Sequence, residues 1–379
     1  MATVSEVFLF FNNYARKYPS AVDYSRLRCC SALAAFCVGR THSESDSNQQ
    51  SQCVIVLRLS CSSRMRLYRG QRMAESLLIK DRVVQQCSAM DRSSWYEPKT
   101  SLLSPTLQST FVLSYFDSDT EKFIADSIAT SNSLLLQLYY YFVSFVLSFF
   151  ITKTSINGLL NRGGMFLFST SQLQEFLSIS TAWNSSSKQL LDLGAGDGGI
   201  TKALFPFFEN VYVTEMSQVM QWRLRCEGYH IEDVEGWSST SRQYDLISAL
   251  NLIDRHYNPK KLLKDLHTLA LRSNCLVLLA VVLPVHQYVE FHPSRKSTKA
   301  DVRLAVQGLT LEEHASALVE NEFMPAGFEV VRWTKLPYLC EGDLNRPYYV
   351  LDDVVFLLRP IPNSIEAISD DHSYEHSEL

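Results

Sequence analysis

Apolar and polar positions follow two regimes along the chain. From Gln189 onward, short apolar runs alternate with segments of helical periodicity. QLLDL (189–193) reads as a buried strand, with a helix to follow from about Gly198. NVYVTE (210–215) is a second strand, and SQVMQWRLRCEG (217–228) is a helix with Ser217 at its N-cap. YDLISAL (244–250) is a further strand. In NPKKLLKDLHTLAL (258–271), Asn258 sits at the N-cap and Pro259 at the first helical position. Leu262, Leu263, Leu266 and Leu269 then share one face of that helix. CLVLLAVVL (275–283) is apolar throughout, as expected of a strand covered on both faces. Thr310 and Glu313 have capping-box spacing before another helix, and Gly327 suits its C′ position. FEVVRWT (328–334) and YYVLDDVVFLLR (348–359) are joined by a loop rather than a helix, so they should pair antiparallel. The predicted fold is α/β: a Rossmann-like doubly wound sheet closed by an antiparallel C-terminal hairpin, with an N-terminal helical extension.

The first half is patterned differently. LLLQLYYYFVSFVLSFFI (134–151) is broken only by Gln137, Ser144 and Ser148. It nears the length of a membrane span but lacks basic anchors before it and runs directly into a globular pattern. A buried or membrane-surface helix is expected rather than a span. Residues 1–94 combine a polar, low-complexity stretch (41–52), a strand-like CVIVLRL (53–59) and an arginine-rich run (58–73). These features predict a poorly ordered extension. The expected organisation is an extension at 1–94, a helical part at 95–185, the sheet domain at 186–360 and a disordered acidic tail at 361–379.

Composition narrows the picture. A net charge of -5 gives no reason to expect nucleic acid as a partner. None of the nine cysteines forms a CxxC pair or a zinc-ligand spacing, so free thiols are expected. His286 with His292, and His372 with His376, lack a third ligand at usable spacing, and no metal is predicted. The first twenty residues hold only a four-residue apolar run, FLFF, with no basic residue before it. An intracellular protein is therefore expected.

The candidate chemistry lies in QLLDLGAGDGGIT (189–201). Gly194 and Gly196 stand where strand becomes helix, and glycine there lets a ligand touch the backbone. Gly194, Gly196 and Gly199 satisfy the dinucleotide pattern G-x-G-x-x-G. Asp192, Gly194, Gly196 and Gly198 also spell D-x-G-x-G-x-G, which resembles the loop of class I S-adenosylmethionine (SAM) methyltransferases. A carboxylate at 192 sits poorly beside a pyrophosphate and well beside a sulfonium, since opposite charges attract. Glu215, ending the second strand, can accept bonds from two ribose hydroxyls. Asn251 and Asp254 close YDLISAL at the end of the sheet where ligands of such folds bind. Asn251 is placed for the amino-acid portion of the cofactor. Asp254 can steady a substrate, cap the next turn or pair with Arg255.

TSINGLLNRGGMFLFS, LLDLGAGDG, QYDLISALNLIDR, VVLPVHQYVE, LPYLCEGD and YYVLDDVVFLL together resemble the DREV family of methyltransferases, from about Trp95 to Pro360. The resemblance implies a SAM-dependent protein methyltransferase acting on the pros nitrogen (Nδ1) of histidine. Its partners would be proteins with His-x-His motifs that have a small middle residue. It implies Asp254 and Tyr349 as catalytic and Tyr338 as a cofactor contact, beside Asp192, Gly194, Gly196, Glu215 and Asn251. Arg162 could line the entrance, and Trp237 could cover adenine or belong to the core. The resemblance admits the endoplasmic reticulum or mitochondrion as compartment, with the cytoplasm otherwise. A monomer is expected. The residues alone leave a small-molecule methyltransferase and a non-catalytic binding module as alternatives.

Overall fold

The computed structural model describes residues 92–362 except 150, 151, 181, 295 and 296. Expectations for the strand-like CVIVLRL, the arginine-rich run, the six cysteines before residue 90 and the histidines of the tail lie outside the described residues.

Eight strands form one sheet: β1 (Met165–Phe166), β2 (Gln189–Leu193), β3 (Asn210–Thr214), β4 (His230–Ile231), β5 (Leu246–Leu250), β6 (Leu276–Val282), β7 (Phe328–Glu341) and β8 (Tyr348–Pro360). Their order is β1-β7-β8-β6-β5-β2-β3-β4. Strands β2 to β6 pair in parallel, and β8 enters antiparallel between β6 and β7. The chain winds from β2 outward to β4, then returns to the other side of β2 with β5. That reversal puts a topological switch point at the carboxyl ends of β2 and β5, where ligands of such sheets bind in a crevice. The predicted doubly wound sheet with its closing hairpin is the observed one. The hairpin is longer than predicted, because LPYLCE continues β7 to Glu341.

Strand periodicity distributes the core. On β6, Val277, Leu279 and Val281 belong to one apolar layer, while Leu278 and Ala280 belong to the layer on the opposite face. The helix Pro259–Ser273 covers the first layer with Leu262, Leu263, Leu266 and Leu269, all buried. Its cap is as predicted: the Asn258 side chain accepts from the Lys261 N–H, with Pro259 in the first turn. Thr310 and Glu313 form the predicted capping box before Leu311–Leu318. That helix ends in a π-turn at Val319–Phe323, and Gly327 follows with φ +89°. The N-terminal segment is held across the hairpin. The Trp333 indole donates to Leu107 O at 2.7 Å, and Lys335 Nζ donates to Ser94 O at 2.7 Å.

One expectation needs correction and another is narrowed. No α-helix follows the glycine loop; Thr201–Ala203 and Phe205–Phe207 are single 3₁₀ turns. The segment offers a helix little support, with Gly198 and Gly199 at its start and Pro206 barring its continuation. The apolar segment 134–151 does contain a helix, Leu134–Leu147, but it is not buried. Gln137 and Tyr140 alone are buried, whereas Leu135, Leu138, Tyr141, Phe142 and Phe145 are exposed. Among the described residues no helix is long and apolar enough to cross a membrane.

Candidate active site

The loop after β2 is built by three glycines in the left-handed region, Gly194 (φ +73°), Gly196 (φ +59°) and Gly198 (φ +80°). Their surroundings differ. A Cβ on Gly194 would stand 3.0 Å from the Leu252 side chain, and one on Gly198 would stand 2.9 Å from Leu224 and 3.1 Å from Tyr229. These two glycines let the loop pack. A Cβ on Gly196 would meet nothing within 4 Å. Gly196 therefore presents bare backbone to open space at the crevice.

Two acids brace this loop. Asp192 is 2% exposed, and its oxygens accept from the hydroxyls of Thr201 and Ser248, each at 2.6 Å. It thereby ties the end of β2 to β5 and to the turn beyond the glycines. Burial pushes its carboxyl up to about 6, against the two hydroxyl donors. Glu215, just past β3, is also buried. Its Oε2 accepts the Gly196 N–H at 3.0 Å and its Oε1 accepts the Ser217 N–H at 2.7 Å. Burial raises its pKa, opposed by these backbone donors.

Across the crevice, Asn251 follows β5 with φ +54°, a backbone shape that asparagine tolerates better than most residues. Its N–H donates to Ala280 O at 2.9 Å. Its Nδ2 donates to Asp353 Oδ2 at 2.7 Å, while its Oδ1 is buried without a partner. Asp254 is 3% exposed; Oδ2 meets Arg255 Nε at 3.2 Å, and Oδ1 is buried without a partner. Burial raises the Asp254 pKa, with Arg255 opposing. Two acceptors three residues apart thus lack donors at one edge of the sheet, a costly arrangement unless a ligand supplies them.

The hairpin forms the remaining wall. The Tyr338 hydroxyl, on β7, donates to Met165 Sδ at 2.6 Å. Burial holds its pKa well above the usual phenol value, and the charges of Asp353, Arg255 and Asp197 also reach it. The Met165 carbonyl oxygen lies 3.7 Å from where a Cβ on Gly199 would stand, so Tyr338 sits beside the glycine loop. Tyr349 is 38% exposed, with its hydroxyl 3.4 Å from Asp343 Oδ2. It lies four residues before Asp353 on β8, about 13 Å along the strand. Arg162 lies over the Tyr140 ring at 5.3 Å. The neighbouring Gly163 and Gly164 N–H groups donate to Glu341 Oε2, pinning NRGG to β7. Trp237 is buried in the core layer that also holds Leu191 and Leu193. His286 is near enough to influence Asp254, and His292 Nε2 meets Asp301 at 3.2 Å. Among the described residues no group of three potential metal ligands occurs.

Sequence reasoning missed Asp353. It is fully buried on β8, opposite Val282 of β6 and Leu336 of β7. The available signal was an acid inside VLDDVVFLL, a run otherwise built for a core. Burial raises its pKa to about 7, with the nearby Asp254 charge adding to the effect. Between 3.8 and about 7 the folded form binds the proton more tightly than the unfolded chain. Stability is therefore greatest below the unfolded pKa and falls as pH rises toward 7. Asp192 contributes in the same direction, up to about pH 6. The melting temperature of the ligand-free protein should drop between pH 5 and pH 8. Asp353→Asn should remove a part of that drop on the order of a few kcal/mol. Parallel melting curves for the two proteins would show no such attribution.

The family model for the DREV methyltransferase matches residues 95–360. Among solved structures, the Pyrococcus horikoshii protein PH1948 is similar at 12% identity and a TM-score of 0.35, over 59% of this chain and 98% of that one. The Bacillus subtilis protein YcgJ is similar at 12% identity and a TM-score of 0.31, over 49% of this chain and 97% of that one. The N-terminal domain of EvdMO1, solved with S-adenosylhomocysteine (SAH) bound, is similar at 18% identity and a TM-score of 0.29, over 50% and 80% respectively.

Proposed function

As the chain belongs to the DREV methyltransferase family and uses SAM, we propose that it methylates the pros nitrogen (Nδ1) of histidine in His-x-His segments of other proteins. The crevice suits the cofactor on its own evidence. Gly196 offers bare backbone, Glu215 stands at the end of β3, and Asn251 Oδ1 awaits a donor. Bound there, SAM supplies an electrophilic methyl on a positively charged sulfur. The loop glycines and Glu215 would hold its nucleoside end, and Asn251 its amino-acid end. Asp192, read from the sequence as a cofactor contact, has its oxygens on Thr201 and Ser248 and through them keeps the loop in place.

The observation that carries the histidine reading is the unpartnered Asp254 Oδ1, a buried acceptor at the crevice edge. A free imidazole has a pKa of about 6.5, so the neutral nucleophile is abundant at pH 7 and needs no strong base. It needs a chosen tautomer. If Asp254 accepts the Nε2–H, the lone pair lies on Nδ1. That pair forms the new N–C bond as the C–S bond breaks toward sulfur. The imidazolium so formed carries its charge beside Asp254, which is where a fixed carboxylate lowers the barrier. Orientation provides much of the rest. Tyr349 is assigned to the substrate side of the crevice and Tyr338 to the cofactor side. The exposed position of Tyr349 on the hairpin, and the Met165 contact that sets Tyr338 beside the glycine loop, support that division. The reading carries with it a monomeric intracellular enzyme.

Incubation with labelled SAM and a His-Ala-His peptide tests this. Label on the peptide, located at Nδ1 by fragmentation and comparison with both methylhistidine isomers, is the expected result. SAH binding without transfer to any His-x-His peptide would remove the histidine reading and leave the methyltransferase.

A further inference from the structure

Beside the backbone N–H of Val281, Asp353 accepts from two groups with different requirements. Its Oδ1 accepts the Val354 N–H at 2.8 Å, and its Oδ2 accepts Nδ2 of Asn251 at 2.7 Å. A carboxylate can only accept, so it selects the nitrogen end of the Asn251 amide. The backbone at Asn251 is held by its left-handed φ and by the bond from its N–H to Ala280 O, which leaves the amide as the adjustable part. With the nitrogen committed to Asp353, the oxygen is the end left without a partner.

We propose that Asp353 is a positioning residue: it holds Asn251 so that the amide oxygen, and not the nitrogen, faces the crevice as the acceptor for the α-ammonium group of SAM. The inference rests on the methyltransferase reading. It explains a fully buried acid in the middle of a core strand, a place where an uncompensated charge is costly. A cation in the crevice also favours the ionised carboxylate, the form that can only accept.

Asp353→Asn gives a directed test, because Val354 constrains it. One end of the new amide must be an acceptor for the Val354 N–H, so the end facing Asn251 becomes the NH₂ group. Asn251 then turns its oxygen toward residue 353 and its nitrogen toward the crevice, where it meets an ammonium donor to donor. Calorimetry on the full chain should show SAH bound about tenfold to a hundredfold more weakly by Asp353→Asn than by the wild type. Affinity for 5′-methylthioadenosine, which lacks the amino-acid portion, should be unchanged. The exchanged pair Asn251→Asp with Asp353→Asn restores the acceptor. Residue 353 donates to one oxygen of the new carboxylate, and the other oxygen faces the crevice. Its SAH affinity should return to within about threefold of wild type. Unchanged SAH binding in Asp353→Asn would overturn the proposal. So would equal weakening for SAH and 5′-methylthioadenosine, which would mark Asp353 as a structural residue only. A wild-type protein that binds neither compound would instead count against the methyltransferase reading itself.

Discussion

Asp254→Ala is expected to bind SAH within about threefold of wild type and to lose methyl transfer by about 10²–10⁴-fold, the range for removing a group that acts on the reacting atoms. The reason is positional. Asp254 Oδ1 is the unpartnered acceptor assigned to the substrate imidazole, whereas the cofactor contacts are assigned to Gly196, Glu215 and Asn251. Arg255, partly exposed, loses its partner at little cost. Single-turnover transfer to a His-Ala-His peptide, set beside calorimetric SAH binding, separates the two effects. A parallel loss of binding and transfer would reassign Asp254 to the cofactor.

Gly196→Val is expected to abolish SAH binding, with at least about a hundredfold loss of affinity, while the fold survives. No protein atom lies within 4 Å of the added Cβ, so the side chain projects into the crevice and occupies space a ligand would use. The cost to the protein is the left-handed backbone at φ +59°, about 1–2 kcal/mol for a non-glycine residue. Gly198→Val is the contrast. There the new atoms press on Leu224 and Tyr229, both buried, and overpacking adds about 1–3 kcal/mol to the backbone cost. Thermal melting should place Gly198→Val well below Gly196→Val, and SAH titration should single out Gly196. Normal affinity in Gly196→Val would mean that the ligand does not approach this loop.

Together with Asp353→Asn, these substitutions probe three ways of building one crevice. Gly196 keeps space open, Asp254 offers an acceptor to the substrate, and Asp353 sets the polarity of a neighbour.

Much of the frame was readable from local pattern, because local pattern causes it. The apolar run at 275–283 became β6, covered on both faces. Asn258 with Pro259, and Thr310 with Glu313, started helices where caps satisfy free N–H groups. The glycine cluster after QLLDL marked the loop, since only glycine takes those backbone angles without strain. The loop's continuation was misread. A strand and a glycine turn predict a helix by analogy, but Gly198, Gly199 and Pro206 weaken one, and two 3₁₀ turns resulted.

The amino-acid order alone thus determined where chain segments become strand or helix, and which short stretches carry exposed backbone or acids. Only the tertiary structure decided what each acid faces. Asp192 is turned to Ser248, 56 residues away, and the NRGG turn is pinned by Glu341, 178 residues from Gly163. Asn251 meets Asp353 across 102 residues because β8 runs back between β6 and β7. A period of two assigns a residue to a face of a strand, but its neighbour depends on strand order and register, which are settled when the whole sheet assembles.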